Sequence, residues 1–325
     1  MSQDKPVVVV LDVMPEPSRA VIEARFGTDF EVRHLQPEQK LDGDLVGDAT
    51  ALLTMWGRVD ADLIAAAPNC RVIQKLGVGV DKIDAAAAER QGITVLKAAA
   101  INAAAVAELT VLLILSVSRA LVRAVTGTRA GRFEKEALRA VTWQLPGSTL
   151  GLVGFGAIGR EVARRMAGFG VRIVYFDPYR ADPETEAAFG VTYVGLDELI
   201  ASADVVSLHV PLTPETHHLF DDDAFARAKP GMVLINTARG GLVDLDALVR
   251  AVRAGRIRGA GLDVTEQEPL PPDSPVLGVD EVVLTPHIGG AVANNFPFVI
   301  ERAYSNVRAV LDGGPLPPAD VVVHP

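Results

Sequence analysis

Residues 150–177 read LGLVGFGAIGREVARRMAGFGVRIVYFD. An apolar run enters Gly154, Gly156 and Gly159, a helical stretch follows, and a second apolar run ends on Asp177. The glycines allow a tight turn, close approach of backbone to a pyrophosphate and close packing of helix on strand, while the helix N-terminus offers unpaired N–H groups to phosphate. Asp177 falls roughly twenty residues on, where a carboxylate accepts hydrogen bonds from a ribose diol. Glycines at this spacing are weak evidence alone. Strand, helix, strand and terminal acid together make a dinucleotide-binding signature. Most of a domain's length precedes it, so the nucleotide unit does not begin the chain.

The 325 residues suggest two domains at roughly 150 residues each. Hydrophobic residues make up 49% and charged residues 22%, a globular composition without low-complexity tracts. A net charge of -10 argues against nucleic acid as a partner, because phosphate neutralisation needs clustered Lys and Arg, yet it leaves room for a small anion in a locally basic pocket. The single cysteine, Cys70, excludes an intrachain disulfide, and the start MSQDKPVVVVLDVM lacks a secretory core; both fit a cytoplasmic protein. The apolar stretch 98–122 is interrupted by Asn102, Glu108 and Arg119, so its runs fall short of the ~18 residues of a membrane span. It reads as a buried helix at an interdomain or dimer contact.

Apolar runs at 7–11, 51–54 and 72–76 alternate with helical stretches at 18–25 and 60–67, the pattern of a parallel sheet with crossover helices. A second series follows, with strands at 150–153, 172–176, 205–209, 232–236, 259–262 and 282–284 and helices near 159–168, 196–201, 221–228 and 246–254. A last helix at 294–311 and a proline-rich end are too short for a further domain, so the C-terminal helix is expected to fold back on the first one.

Ligands of open parallel sheets bind outside the carboxyl ends of the strands. Arg239 follows one such strand (LINTA), Glu268 the next and His287 the last (VVLTP). Histidine exchanges protons near neutrality, a carboxylate on its ring stabilises the imidazolium, and a guanidinium fork can bridge the carboxylate and carbonyl oxygens of a 2-oxo acid. Glu266 is a rival to Glu268 on the residues alone, and Arg239 has the plain alternative of a structural ion pair.

HVPLTPETHHLF, KPGMVLINTARGGLVDLDALVRAVRAGRIRGAGLDVTEQEP and VVLTPHIGG, with LGVGVDKID at 76–84 and NAAAVAE at 102–108, closely resemble the D-isomer-specific 2-hydroxyacid dehydrogenase family over nearly the entire chain. The resemblance implies two doubly wound α/β domains: a Rossmann NAD-binding domain at 101–291 inserted in a flavodoxin-like substrate domain formed by 1–100 and 292–325. It implies that Arg239 binds substrate, His287 is the acid/base, Glu268 is its partner, and the backbone amides of Val78 and Gly79 hold the substrate carboxylate. Cofactor contacts are expected at Gly154, Gly156, Ala157, Ile158, Gly159, Asp177, Pro211, Thr216, Ala238, Asp263 and Gly290, with His209 near the adenosine.

Asp177 favours NAD over NADP by repelling a 2'-phosphate, against which Arg180 is the counter-argument. His34, His217, His218 and His324 read as surface residues. His217 and His218 adjoin Asp221–Asp223, but no ligand spacing for a metal appears, and none is expected. Lys75 and Trp56 are candidates for the substrate mouth. Thr54 and Lys75 match the phosphate-binding pattern of phosphoglycerate-oxidising relatives poorly, the chain ends before the sensing domain many of those carry, and Glu268 stands where formate-oxidising relatives have glutamine. The expected substrate is therefore glyoxylate, hydroxypyruvate or a longer sugar-derived acid, handled by a homodimer. An NADH-binding co-repressor with little turnover is the alternative of a different class.

Overall fold

In the computed structural model, residues 5–325 are described, and the chain divides into two compact units: residues up to Asn102 together with Val292–Pro325, and Ala103–Ala291. In chain order the strands are β1 (Val7–Val10), β2 (Glu31–His34), β3 (Ala51–Thr54), β4 (Val72–Lys75) and β5 (Thr94–Leu96). Then come β6 (Thr149–Val153), β7 (Arg172–Phe176), β8 (Val191–Tyr193), β9 (Val205–Leu208), β10 (Val233–Asn236), β11 (Gly259–Leu262) and β12 (Val282–Leu284), with β13 (Val321–Val323) at the end.

The first unit orders its sheet β13-β5-β4-β3-β1-β2, parallel except for β13. Strand β1 shows why such a run must be buried on both sides: Val7 and Val9 join Leu52, Ile73 and Val95 on one face, Val8 and Val10 join Leu53 and Val72 on the other. On the second face Phe26 and Phe30 of the N-terminal segment meet Tyr304 of helix Phe296–Asp312 at 5.3 and 6.0 Å between ring centroids. Arg25 pairs with Glu301, and buried Asn306 donates to Gln74 Oε1 at 3.1 Å and Asp320 Oδ2 at 2.9 Å. The C-terminal helix thus completes the first unit's core.

The second unit orders its sheet β12-β11-β10-β9-β6-β7-β8, all parallel. This is the dinucleotide-fold order, with the chain reversing direction across the sheet between β6 and β9. One face carries Leu150, Leu152, Val233 and Ile235 under helices Ala103–Ser118 and Ala157–Met166. The other carries Val153, Val206, Leu208 and Leu234 under Leu196–Ser202, Asp222–Arg227 and Leu245–Arg253. Aspartates at helix starts fix several boundaries: Asp182, Asp221 and Asp244 each accept a backbone N–H from three residues on, at 2.8–3.0 Å.

Three expectations change. The apolar stretch 98–122 is helical only over Ala103–Ser118, breaks at Ala120 (φ 45°) and resumes as Leu121–Arg129. Its buried face lies within the second unit, where a Cβ on Gly261 of β11 would come within 2.9 Å of Leu113. No single helix among the described residues is long and apolar enough to cross a membrane. Second, β2, β5, β8 and β13 lie outside the strands read from the sequence; β2 is a half-exposed edge, EVRH. Third, His34 is tucked in, its side chain 7% exposed against Glu23, and burial lowers its pKa.

Candidate functional site

The three candidate groups stand at the ends of adjacent strands. Asn236↔Leu262 and Leu262↔Leu284 are register partners, so Arg239, Asp263 and Thr285 begin neighbouring loops at one end of the sheet. Nδ1 of His287 lies 2.9 and 3.1 Å from the two carboxylate oxygens of Glu268. Geometry thereby separates the rival acids: Glu266 instead meets Nε2 of His217 and of His218, each at 3.1 Å.

Each loop is locked. Asp263 is 2% exposed; its carboxylate accepts the Thr285 hydroxyl at 2.5 Å and the N–H groups of Ile288 and Gly289 at 2.9 and 2.8 Å. That grip holds His287 at φ 55°, a left-handed conformation uncommon for a non-glycine residue. Fully buried Asn236 accepts from Ala238 N–H at 3.0 Å and donates to the Arg239 carbonyl at 2.8 Å, fixing the turn that presents the arginine. Next to it, a Cβ on Gly240 would fall 1.9 Å from the Thr265 carbonyl carbon, so only glycine lets the arginine loop pass against the Glu268 loop. Asn236 and Gly240 were absent from the sequence reading; a polar residue closing an apolar strand (LIN) before TARGG was the available signal.

The glycine loop fits a dinucleotide. Gly154 has φ 101° and its Cβ would strike the His209 backbone at 2.7 Å; a Cβ on Gly159 would meet the Gly154 carbonyl oxygen at 2.3 Å. A Cβ on Gly156 would enter open space. Gly156 is the N-cap of helix Ala157–Met166, which has neither a side-chain cap nor an acid in its first turn, leaving its N–H groups to an anion. Asp177 accepts Phe155 N–H at 2.8 Å and Tyr179 N–H at 2.9 Å, which seats its carboxylate over this loop at the end of β7. The guanidinium of Arg180 is paired with both oxygens of Glu186 at 2.8 and 3.0 Å.

His209 lies beside the loop, 3.9 Å from a Gly159 Cβ position, with Nε2 2.9 Å from the Ser207 hydroxyl and a buried Nδ1 that meets no partner among the described residues. Burial pushes its pKa down to about 3. Thr216 donates to the Pro211 carbonyl at 2.8 Å and accepts Thr213 N–H at 2.8 Å, which closes the turn after β9. Ala157, Pro211 and Gly290 are exposed; Ile158 and Ala238 are half-buried.

Val78 and Gly79 belong to the first unit, half-buried in the bend after β4. The neighbouring turn after β3 is held by buried Asp12, which accepts the N–H groups of Trp56 at 3.1 Å and Gly57 at 2.7 Å. Trp56 is 50% exposed, whereas Thr54 is fully buried and donates to the Gly57 carbonyl at 3.2 Å.

Residues 111–289 match the model of the D-isomer specific 2-hydroxyacid dehydrogenase NAD binding domain. A glyoxylate reductase of Korarchaeum cryptofilum is 38% identical over 97% of this chain and 95% of its own length. A D-3-phosphoglycerate dehydrogenase of Mycobacterium leprae is 38% identical over 97% of this chain, which spans 59% of that longer protein. The crystal structure of a glyoxylate reductase from Paecilomyes thermophila superposes with a TM-score of 0.84 at 31% identity, covering 98% of this chain and 99% of that one.

The open space at Gly156 yields one expected outcome: Gly156→Ala leaves the thermal midpoint of the free protein unchanged but weakens NADH binding by about tenfold or more, measured by fluorescence titration. Unaltered affinity would remove Gly156 from the phosphate site. His209 yields another. Its folded pKa of about 3 lies below the unfolded value of about 6.5, so the stability it contributes is present above pH ~6.5 and is lost as pH falls toward 3. Thermal midpoints taken between pH ~7 and ~5 should drop less in His209→Gln than in the wild type; equal slopes would refute the assignment.

Proposed function

Since the chain belongs to the D-isomer specific 2-hydroxyacid dehydrogenase family, we propose that it transfers a hydride between NAD and C2 of a small D-2-hydroxy acid or 2-oxo acid, with glyoxylate and hydroxypyruvate as its substrates. The single observation that carries the residue assignment is the pairing of His287 Nδ1 with Glu268 at the mouth of the same strand ends that bear Arg239.

Bound NAD supplies the hydride acceptor, and its reduced form the donor. His287 Nε2 takes the hydroxyl proton during oxidation and returns a proton to the carbonyl oxygen during reduction. Glu268 holds the ring in one tautomer and stabilises the imidazolium in between. Arg239 bridges the carboxylate and carbonyl oxygens, polarising C2 toward hydride in the reductive direction. The backbone amides of Val78 and Gly79 take the substrate carboxylate.

On the cofactor side, Gly154, Gly156, Ala157, Ile158 and Gly159 hold the pyrophosphate and Asp177 the ribose diol. His209, Pro211 and Thr216 flank the adenosine half, and Ala238, Asp263 and Gly290 border the nicotinamide. Preference for NAD is supported by the Asp177 carboxylate and by the capture of Arg180 by Glu186, which leaves the basic group beside the acid already engaged. Against a phosphorylated substrate stands Thr54, buried with its hydroxyl committed to Gly57. The exposed apolar side chains Leu121, Val122, Val125 and Phe133 support a homodimer, and a lone buried thiol, Cys70, suits the cytoplasm.

Stopped-flow oxidation of NADH and NADPH with glyoxylate, hydroxypyruvate, pyruvate and longer 2-oxo acids tests the reading. Turnover is expected with the two short acids; tight NADH binding without turnover on any of them would overturn it in favour of a regulatory binding protein. His287→Ala should lower kcat by at least about a hundredfold with NADH affinity retained. Asp177→Ala should cost about tenfold or more in NADH affinity and far less in NADPH affinity, and an equal loss for both would undo the ribose assignment.

A further inference from the structure

We propose that His217, His218 and Glu266 form a binding site for a borderline divalent transition-metal ion of the Zn2+ class. Each imidazole Nε2 lies 3.1 Å from a different oxygen of the Glu266 carboxylate, and the ligand atoms of all three residues lie within 4.8 Å of one another. A tetrahedral ion bound at about 2.0–2.2 Å needs its donors about 3.4 Å apart, so only small rotations of the rings and carboxylate separate this cluster from a ligand set. Two imidazoles and one carboxylate suit Zn2+, Ni2+ or Cu2+ in preference to Mg2+ or Ca2+, which take oxygen ligands.

The backbone is bent to make this arrangement. In the turn after β9 the rings of His217 and His218 are stacked at 3.9 Å between centroids and 24° between planes. His218 adopts φ 50°, a left-handed conformation that costs a non-glycine residue strain. His218 N–H donates to the Gly241 carbonyl at 2.8 Å and His217 N–H to the Thr213 carbonyl at 2.9 Å, which hold the bend. The three side chains are 48%, 35% and 52% exposed, so an ion can enter and water can complete its coordination.

The site has a mechanical consequence. Glu266 sits two residues before Glu268, in the loop that crosses Gly240 beside Arg239. An ion there clips the turn after β9 to the loop that carries the partner of His287.

Calorimetric titration of the full chain with ZnCl2, at pH ~7.5 and without chelating buffer, tests the proposal. One equivalent is expected to bind with micromolar or tighter affinity. His217→Ala, His218→Ala and Glu266→Gln should each weaken binding by at least about tenfold, while His287→Ala leaves it unchanged. Zn2+ should also raise the thermal midpoint of the wild type and not that of Glu266→Gln, whose exposed amide keeps the size of the acid. No saturable binding by the wild type, equal binding by the three variants, or loss in His287→Ala instead would each overturn the proposal.

Discussion

The Asp263 carboxylate is the constraint on which the site's geometry depends. A carboxylate that is 2% exposed is costly to desolvate unless its lone pairs are satisfied, and here the Thr285 hydroxyl and two backbone N–H groups satisfy them. All three donors come from the five-residue turn 285–289, so the cost of burying one charge is offset only when that turn adopts a single shape. Within that shape His287 sits at φ 55°, a conformation its own side chain disfavours. The hydrogen bond from His287 N–H to the Asp263 carbonyl, at 2.8 Å, adds a main-chain tie. Strain at His287 is therefore maintained by a buried carboxylate one strand away, and Glu268 then contacts the ring at Nδ1.

Parallel strands turn sequence distance into spatial order. Residues 239, 268 and 287 are far apart in the chain, but β10, β11 and β12 are neighbours and all point the same way, so each successive strand delivers its loop to the same end. Loop proximity then demands small residues where loops cross. Gly240 is the extreme instance, with no space for even a methyl group beside Thr265. Thr265 in turn donates its hydroxyl to the Gln267 carbonyl at 2.8 Å and its N–H to Glu268 Oε1 at 3.3 Å, so the loop that touches the arginine also orders the acid.

The long apolar runs were legible in the sequence because a strand covered on both faces has no polar side to confuse the pattern, as in β3, β10 and β11. The edge strand Val191–Tyr193 was not, since its three residues are buried, exposed and half-buried in turn and it is defined by its neighbour β7, unlike the equally short but wholly apolar Val282–Leu284. At the candidate site Arg239 and His287 stood out by residue type and by position after apolar runs, whereas Glu268 was separated from Glu266 only by the family resemblance and then by its contact with His287. The groups that hold them did not. Asn236 and Asp263 act through partners up to 26 residues away, and the association of His217 and His218 with Glu266 spans 48 or more residues, a proximity that no local spacing encodes. Charged residues contacting only through tertiary structure read as solvated acids until the sheet is assembled.

The treatment of helix starts shows how stability and binding are divided within one unit. Helices beginning after Asp182, Asp221 and Asp244 each gain an aspartate cap, an interaction typically worth ~1 kcal/mol. Helix Ala157–Met166 forgoes it, since an aspartate at position 156 would both fill the space left open there and repel an anion from the free N–H groups. The loop is steadied from the other side instead: Asp177, at the end of the adjacent strand, accepts Phe155 N–H, and basic Arg164 and Arg165 lie in the helix's last turn where its dipole favours them. The acid that a cap would have supplied is thus displaced to the next strand. From there it orders the loop by accepting Phe155 N–H and Tyr179 N–H, and leaves the space at Gly156 open.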